Sequence, residues 1–148
     1  MDTRISALTP DLRSALESGL DLAARLVAPR PLSDAHIEAL YDALLDESVE
    51  NVEAIIALGL SFGETFVSRG GYEWVRVQDE YGEENCVAMM GKSLFCAPIS
   101  MIQKRLADKE RPDIRLLREG TIGRLAELAE NAGERRAYPS TNTGPQAT

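Results

Sequence analysis

The sequence has few of the residues that carry covalent or metal chemistry: its 148 residues include two cysteines and one histidine. Cys86 and Cys96 are too few for a disulfide scaffold and lack metal-ligand spacing, so we expect buried, unpaired thiols. A cysteine nucleophile would need a base, and the one candidate, His36, falls on the first turn of a separate predicted helix. The sequence therefore indicates no catalytic residue, no metal and no cofactor.

Long apolar runs are also missing. The longest candidate, residues 54–60, is far shorter than the ~20 apolar residues that a membrane-spanning helix needs. The first five residues lack the basic region and apolar run of a secretory signal. We therefore expect no membrane span and a cytoplasmic location.

Positive charge is scarce, and the formal net charge is −8. Phosphate recognition needs clustered lysine and arginine, so nucleic acid and anionic membranes are disfavoured as partners. Between Leu32 and Ser68 lysine and arginine are absent altogether. The same stretch contains Asp34, Glu38, Asp42, Asp46, Glu47, Glu50, Glu53 and Glu64.

One interpretation of this acidic stretch is a partner-binding surface, because complementary charge raises association rates and suppresses wrong partners. We interpret seven carboxylates as an acidic helical face for a basic, toxin-like protein: Asp34, Glu38, Asp42, Asp46, Glu47, Glu50 and Glu53. The alternative is that the acids are solvated, or pair with the chain's own basic C-terminal residues. Partner binding requires that this internal pairing does not occur.

The order of sequence patterns predicts an α+β fold, with N-terminal helices, a three-stranded antiparallel β-meander and C-terminal helices packed on the sheet. Residues 1–137 are predicted to form a single domain of this class. Residues 138–148 are small and polar, with too few apolar side chains to pack, so we predict a disordered tail.

Capping residues mark the predicted helix starts. Thr9, followed by proline, is suited to begin the first helix, and Ser33 is suited to begin the second. A third, largely apolar helix is predicted from near Val49. Gly59 and Gly63 lie four residues apart in it and share one face, which would permit close approach of a neighbouring element.

Period-two alternation of apolar residues predicts the strands, which cover residues 72–78, 85–90 and 93–97. Whether Cys86 and Cys96 share a face of this sheet depends on the length of the second turn. A shift of the strand pairing by one residue moves each side chain of the strand to the opposite face. The sequence leaves that question open.

Four carboxylates surround the first predicted turn of the sheet: Asp79, Glu80, Glu83 and Glu84. Such oxygens could attract a hard cation such as Ca²⁺, but their spacing matches no standard calcium loop. Acidic residues at hairpin turns are commonly just solvated. No metal site is predicted.

Three ordered segments carry a resemblance to a known family: Leu58-Gly59 with Phe62-Gly63-Glu64, Glu73-Trp74 with Asp79-Glu80-Tyr81-Gly82, and Pro98-Ile99-Ser100-Met101-Ile102 with Lys104-Arg105. Together they resemble a bacterial family catalogued as domain of unknown function 3806, over roughly residues 40–117. The resemblance implies a small α+β domain. It brings no established activity, so no catalytic residues are transferred.

Glu64, Trp74, Lys104 and Arg105 form a possible pocket within these segments. Glu64 would lie at the end of a buried helix, Trp74 on the first strand and the basic pair on the following helix. A carboxylate beside a basic pair suits an internal ion pair as well as ligand binding. We favour the internal ion pair.

These observations predict a non-enzymatic, cytoplasmic protein-binding domain, in the form of an immunity-type neutraliser that presents its acidic helices to a basic partner. One alternative is a small-molecule-binding protein or hydrolase with a pocket near Glu64, Trp74 and Lys104. Another is a structural homo-oligomer, in which the acidic stretch of one copy meets the basic C-terminal part of another. Neither the partner nor the oligomeric state follows from the sequence.

Overall fold

The structure, a computed structural model, describes residues 3–46 and 51–137, with side-chain burial up to residue 132. These ranges contain β1 (Arg4–Ser6), α1 (Pro10–Leu26), α2 (Asp34–Asp46), α3 (Val52–Arg69), β2 (Tyr72–Asp79), β3 (Gly82–Met89), β4 (Phe95–Cys96), α4 (Pro98–Ala107) and α5 (Ile114–Ala137). The strands form one antiparallel sheet in the order β1-β2-β3-β4. The predicted α+β fold is confirmed. No helix of the described ranges is long and apolar enough to cross a lipid bilayer.

Side-chain caps fix the starts of the first three helices. The Thr9 hydroxyl accepts a hydrogen bond of 3.2 Å from the amide three residues later, and Ser33 caps α2 with the same spacing and length. Both predicted starts are confirmed. Asn51 caps α3 through its Oδ1 atom at 3.0 Å. Val49, the predicted start of this helix, and the predicted tail at 138–148 lie outside the described residues.

The two glycines of α3 allow neighbouring elements to approach its backbone. A Cβ atom on Gly59 would lie 2.6 Å from the Ile99 Cα atom at the start of α4. A Cβ atom on Gly63 would collide with the Trp74 ring and would lie 2.8 Å from the Pro98 Cγ atom. The predicted close approach is therefore confirmed, and it brings α4 and the sheet against α3.

Buried side chains cover both faces of the sheet. On one face, Trp74 and Val87 join the main core with residues of α1 to α4, including Leu16, Leu20, Ile37, Tyr41, Phe62, Phe66 and Ile102. On the other face, Val75, Val77, Cys86 and Ala88 form a second, smaller cluster. Ile5, Phe95 and Ala97 pack against this second cluster.

The sheet has four strands where the sequence predicts three. β1 pairs with β2, with Ile5 opposite Val77, and a three-residue strand is too short to show a hydrophobic period. β4 is shorter than the strand predicted over residues 93–97. The turn before it is longer than predicted and ends where the Met89 amide donates to the Leu94 carbonyl over 2.9 Å. The prediction of a three-stranded meander is therefore corrected at its N-terminal edge.

The strand register places the two cysteines on opposite faces. Cys86 lies opposite Val75, whereas Cys96 lies opposite Val87, the neighbour of Cys86 in β3. Side chains of consecutive strand residues point to opposite faces, so Cys86 faces the second cluster and Cys96 the main core. Both are free thiols.

Candidate functional site

Arg118 on α5 binds the first carboxylate of the predicted acidic face. It donates to both carboxylate oxygens of Asp34, over 2.6 and 2.9 Å. These bonds hold the pKa of Asp34 below its ordinary value, against the opposing effect of partial burial. Next along α2, the Glu38 carboxylate accepts a hydrogen bond of 2.9 Å from the Ile114 amide and so caps α5.

Two further carboxylates of this face bind one arginine. Arg111 donates to Asp42 over 2.8 Å and to Asp46 over 3.1 Å, at an exposed position. Thus all four predicted acids of α2 are bonded to the C-terminal part of the chain. Glu53 is exposed in the first turn of α3, and Glu47 and Glu50 lie outside the described residues.

Glu64 has a partner that the sequence did not indicate. Arg30, in the connection between α1 and α2, donates to Glu64 Oε2 over 2.6 and 3.2 Å. Its Nη1 atom also donates to Glu17 over 2.7 Å and to Asp21 over 3.1 Å. These bonds, first of all the one to Glu64, raise the pKa of Arg30. Arg30 therefore joins α1 to α3.

The other residues of the predicted pocket do not gather around Glu64. The Trp74 side chain belongs to the main core and is only 7% exposed. Lys104 is exposed, and Arg105 donates to the Met101 carbonyl one turn earlier, at 3.1 Å. Among the described residues neither forms an ion pair with Glu64. The sequence missed Arg30 because it lies 34 residues from Glu64 and outside any periodic element.

The two thiols are not nucleophilic at neutral pH, and the histidine is hydrogen-bonded to a helix-capping serine. Burial raises the pKa of Cys86 to about 12, with a further contribution from the nearby Glu84 charge. Burial alone raises the pKa of Cys96 to about 12, so both sulfurs are protonated at neutral pH. His36 shares a hydrogen bond of 2.9 Å with Ser33 at the start of α2.

An acidic cavity of about 290 Å³ lies on the face of the sheet that carries the second cluster. Its apolar lining comes from Val77, Cys86, Phe95 and Ala97, and its carboxylates are Asp79 and Glu84. Glu83 also borders the cavity, but its carboxylate lies beside Arg76 on the opposite face of the sheet. Val77 and Glu84 are paired across β2 and β3, so they point to the same face. Two of the acids predicted around the first turn, Asp79 and Glu84, thus meet at this cavity. Among the described residues, no group of three potential ligands is arranged to hold a metal ion.

Glu84 has one bonded and one unbonded carboxylate oxygen in this cavity. Its Oε1 atom accepts a hydrogen bond of 2.8 Å from the Ser100 hydroxyl on α4. Its Oε2 atom is buried and has no hydrogen-bond donor within the described part of the chain. A buried acceptor without a donor costs about 1–3 kcal/mol, and more when it is charged.

An open apolar groove of about 460 Å³ lies along the other side of β4. It is lined by Phe95, Cys96, Leu116, Leu117, Gly120, Thr121, Arg124, Leu125 and Leu128. The Leu116 side chain is 57% exposed. Phe95 borders both this groove and the acidic cavity, so the two depressions meet at β4.

The comparisons with known proteins give a family and no activity. A family model described as "Domain of unknown function (DUF3806)" matches residues 38–117, more than half of the 148-residue chain. No curated protein and no solved structure matches the chain significantly. The matched range includes β4, α4 and all of the residues that line the cavity, and it ends at Leu117, within the groove. The chain belongs to the family of domain of unknown function 3806, as the ordered motifs of its sequence predict.

Proposed function

We propose that this domain is a non-enzymatic protein-binding module that takes up an extended segment of a partner along the free edge of β4. The observation that carries the proposal is the position of Phe95, which borders both the apolar groove and the acidic cavity. A strand added beside β4 would therefore meet a depression on each face of the sheet.

The edge of the sheet supplies the backbone contacts. β4 is outermost in the order β1-β2-β3-β4, and no described strand lies beyond it. Unpaired amide and carbonyl groups of an edge strand bind an added strand, while alternate side chains enter pockets on either face. Because β4 has only two residues, side chains in the two depressions would supply most of the affinity.

The groove favours an apolar side chain of the partner. Four leucines of α5, among them the half-exposed Leu116, line it, together with Thr121 and Arg124. Complete burial of a leucine-sized side chain contributes about 1.5–3 kcal/mol. One well-placed apolar residue of the partner would therefore contribute a large part of the binding energy.

The cavity on the opposite face favours a basic residue next to that apolar one. Two carboxylates, those of Asp79 and Glu84, line it, and complementary charge fixes both register and choice of partner. The partner segment in this proposal alternates basic and apolar side chains. It keeps the cationic character inferred from the net charge but contacts a different surface.

The acids of α2 do not support the earlier interpretation as a docking face. Asp34, Glu38, Asp42 and Asp46 bind Arg111, Arg118 and the start of α5. We therefore propose protein binding without an immunity-type role.

The two alternatives also lack support. The contact predicted for a homo-oligomer, between the acidic stretch of one copy and the basic C-terminal part of another, forms here within one chain. The small-molecule or hydrolase pocket would need Trp74, whose ring packs in the core.

We propose a cytoplasmic location for the domain. Its two cysteines point to opposite faces of the sheet and stay unpaired. Secreted domains commonly use their cysteines in disulfides, whereas cytosolic proteins keep them reduced. The unpaired thiols support this location.

Peptide selection tests the proposed binding mode. A library of displayed eight-residue peptides would be selected against the full chain, and binders would then be measured against Leu116→Asp. We expect this substitution to weaken them at least tenfold, because it places a charge in the apolar groove. Leu26→Asp is the matched control, since Leu26 is 52% exposed at the end of α1 and outside the groove. Circular dichroism would verify that both variants fold.

Three results would contradict the proposal. Equal binding of the selected peptides to Leu116→Asp and the unaltered chain would exclude the groove. Binding that survives Leu116→Asp but is lost in Glu53→Lys would return recognition to the acidic helices. Failure to enrich any peptide that depends on Leu116 would likewise overturn the binding mode.

A further inference from the structure

We propose that the partner segment lies antiparallel to β4 and pairs with the backbone of Phe95, so that one residue of the partner makes both hydrogen bonds to this edge. This inference deepens the proposed function and rests on it for the existence of the partner. It adds the orientation of the segment, its register on β4 and the position of its apolar residue relative to the residue that bonds Phe95.

The hydrogen bond between Met89 and Leu94 shows which backbone groups of β4 face outward. The Met89 amide donates to the Leu94 carbonyl over 2.9 Å, so this carbonyl points toward β3. Backbone groups of successive strand residues point to opposite sides, so the amide and the carbonyl of Phe95 point away from β3. Both groups therefore face the free edge of the sheet.

The pairing of Cys96 agrees with this assignment. Cys96 lies opposite Val87, and Phe95 lies opposite Ala88. Bonded and non-bonded pairs alternate along an antiparallel ladder, so Cys96 and Val87 exchange hydrogen bonds, whereas Phe95 and Ala88 do not. Outside the strand ladder, no backbone group of the described chain bonds the Phe95 amide or carbonyl.

The chain leaves the edge of the sheet just after β4, which limits the backbone site to Phe95. Ala97 is the next residue whose groups would face outward, but its carbonyl accepts a hydrogen bond of 2.9 Å from the Met101 amide in α4. Pro98, the first residue of α4, has no amide hydrogen. Between residues 95 and 98, Phe95 is therefore the one residue that presents both a donor and an acceptor to a partner.

A single edge residue favours an antiparallel partner. In an antiparallel bonded pair, both hydrogen bonds join the same two residues, whereas the slanted bonds of a parallel pair reach the two neighbours of the opposite residue. A parallel segment must therefore order three residues to bond Phe95, and an antiparallel segment must order one. Because each ordered residue loses conformational entropy, the antiparallel orientation is favoured.

This register assigns the side chains of the partner. A residue directly opposite Phe95 has its side chain on the same face of the sheet as Phe95, which packs against the second cluster beside the acidic cavity. Its sequence neighbours point to the other face, where Cys96, Leu117 and Leu125 line the groove. The apolar residue of the partner thus comes directly before or after the residue that bonds Phe95. The bonding residue is not proline, which has no amide hydrogen.

Amide hydrogen exchange of the full chain, followed by NMR, tests the geometry without any partner. Relative to the unfolded chain, the Cys96 amide should be protected roughly a hundredfold more than the Phe95 amide, because only the first is bonded within the sheet. Cys96 is the internal control, since it lies in the same strand. Equal protection of the two amides would overturn the assignment of Phe95 to the free edge.

N-methylation of a bound peptide tests the register. The probe is the tightest peptide selected against the full chain, with its backbone amides methylated one at a time. Methylation should weaken binding roughly tenfold at one residue, because it removes the donor to the Phe95 carbonyl. This residue should be the sequence neighbour of the apolar residue whose replacement by alanine weakens binding most. Methylation at the two neighbours of the sensitive residue is the control and should change binding less than about threefold, because their amides point away from β4. The Phe95 amide should become protected from exchange in the complex.

The outcomes separate this inference from the proposed function. Peptides that depend on Leu116 but tolerate methylation at every position would overturn the pairing with Phe95 and leave the groove. A sensitive amide on the apolar residue itself, or two residues from it, would overturn the antiparallel orientation. One sensitive amide in peptides that bind Leu116→Asp as tightly as the unaltered chain would support the pairing while contradicting the groove. Failure to enrich any peptide would count against both.

Discussion

Arg118 on α5 donates two hydrogen bonds to the carboxylate of Asp34 on α2, although 84 residues separate them in the chain. The Arg118 side chain is only 12% exposed, so the pair is shielded from solvent more than an ordinary surface ion pair. This contact turns the acidic helix into a support for the C-terminal helix. Because such pairing uses acids inside the molecule, net charge alone does not show which acids are available to a partner.

Removal of this pair should lower stability in a pH-dependent way. The pKa of Asp34 is depressed in the folded state, mainly by its Arg118 bonds. The stabilisation is therefore complete above the unfolded value of about 4 and is lost as pH falls through the lower folded value. Asp34→Asn should cost about 2 kcal/mol at pH 7, and the difference from the unaltered chain should shrink below about pH 4.

Urea unfolding at pH 7, 5 and 3 would measure this difference. Glu73→Gln, an exposed residue of β2, controls for the change in net charge and should have little effect at any of these pH values. A constant deficit for Asp34→Asn from pH 7 to 3 would contradict the assigned pairing.

Gly63→Ala should destabilise the domain by about 1–3 kcal/mol, because overpacking forces a well-packed core to move. The added methyl group would collide with the Trp74 ring and meet Pro98 Cγ at 2.8 Å. Gly123→Ala is the control, since nothing lies within 4 Å of its added Cβ atom. This second change should stabilise the helix by about 0.5–1 kcal/mol. Equal effects in thermal unfolding would refute the packing argument.

Arg30→Met should lower the free energy of unfolding by about 3 kcal/mol, because it leaves a largely buried carboxylate without its partner. The Glu64 side chain is only 14% exposed. Adding Glu64→Gln to Arg30→Met should recover part of the loss, since a neutral amide is easier to bury. A double-mutant cycle by urea unfolding measures the coupling, and strictly additive effects would exclude the ion pair.

The two thiols should resist modification in the folded protein. Cys86 and Cys96 have pKa values raised to about 12 by burial, and thiolate is the reactive form. Ellman's reagent at pH 8 should therefore react slowly in buffer and completely in 6 M guanidinium. Mild oxidation should not link the two sulfurs within one chain. An intramolecular disulfide detected by mass spectrometry would contradict the strand register.

Several local features could be predicted because their physical causes lie within a few residues. Thr9 and Ser33 cap their helices through amides three positions ahead, and Gly59 and Gly63 share a face by helical spacing alone. Period-two alternation was enough to predict three of the four strands. It did not predict Arg4–Ser6, which becomes a strand by pairing with β2. The ordered motifs also led to the correct family.

The candidate site could be predicted only in part. The acids around the first turn were visible, but the sequence did not show that Glu84 would share a cavity with Phe95 and Ser100. Strand register decides this, and register depends on a turn whose length was open. Cys86 and Cys96 illustrate the same dependence.

The sequence by itself determined the class of fold, the main helix starts and the segregation of charge, since each follows from short-range spacing or from composition. The tertiary structure alone decided which charges remain available. Arg30 with Glu64 and Arg118 with Asp34 join residues 34 and 84 positions apart, and such pairs exist only after packing has brought their helices together. Long-range pairing thus neutralised the acids of α2, and no spacing along the sequence could show it.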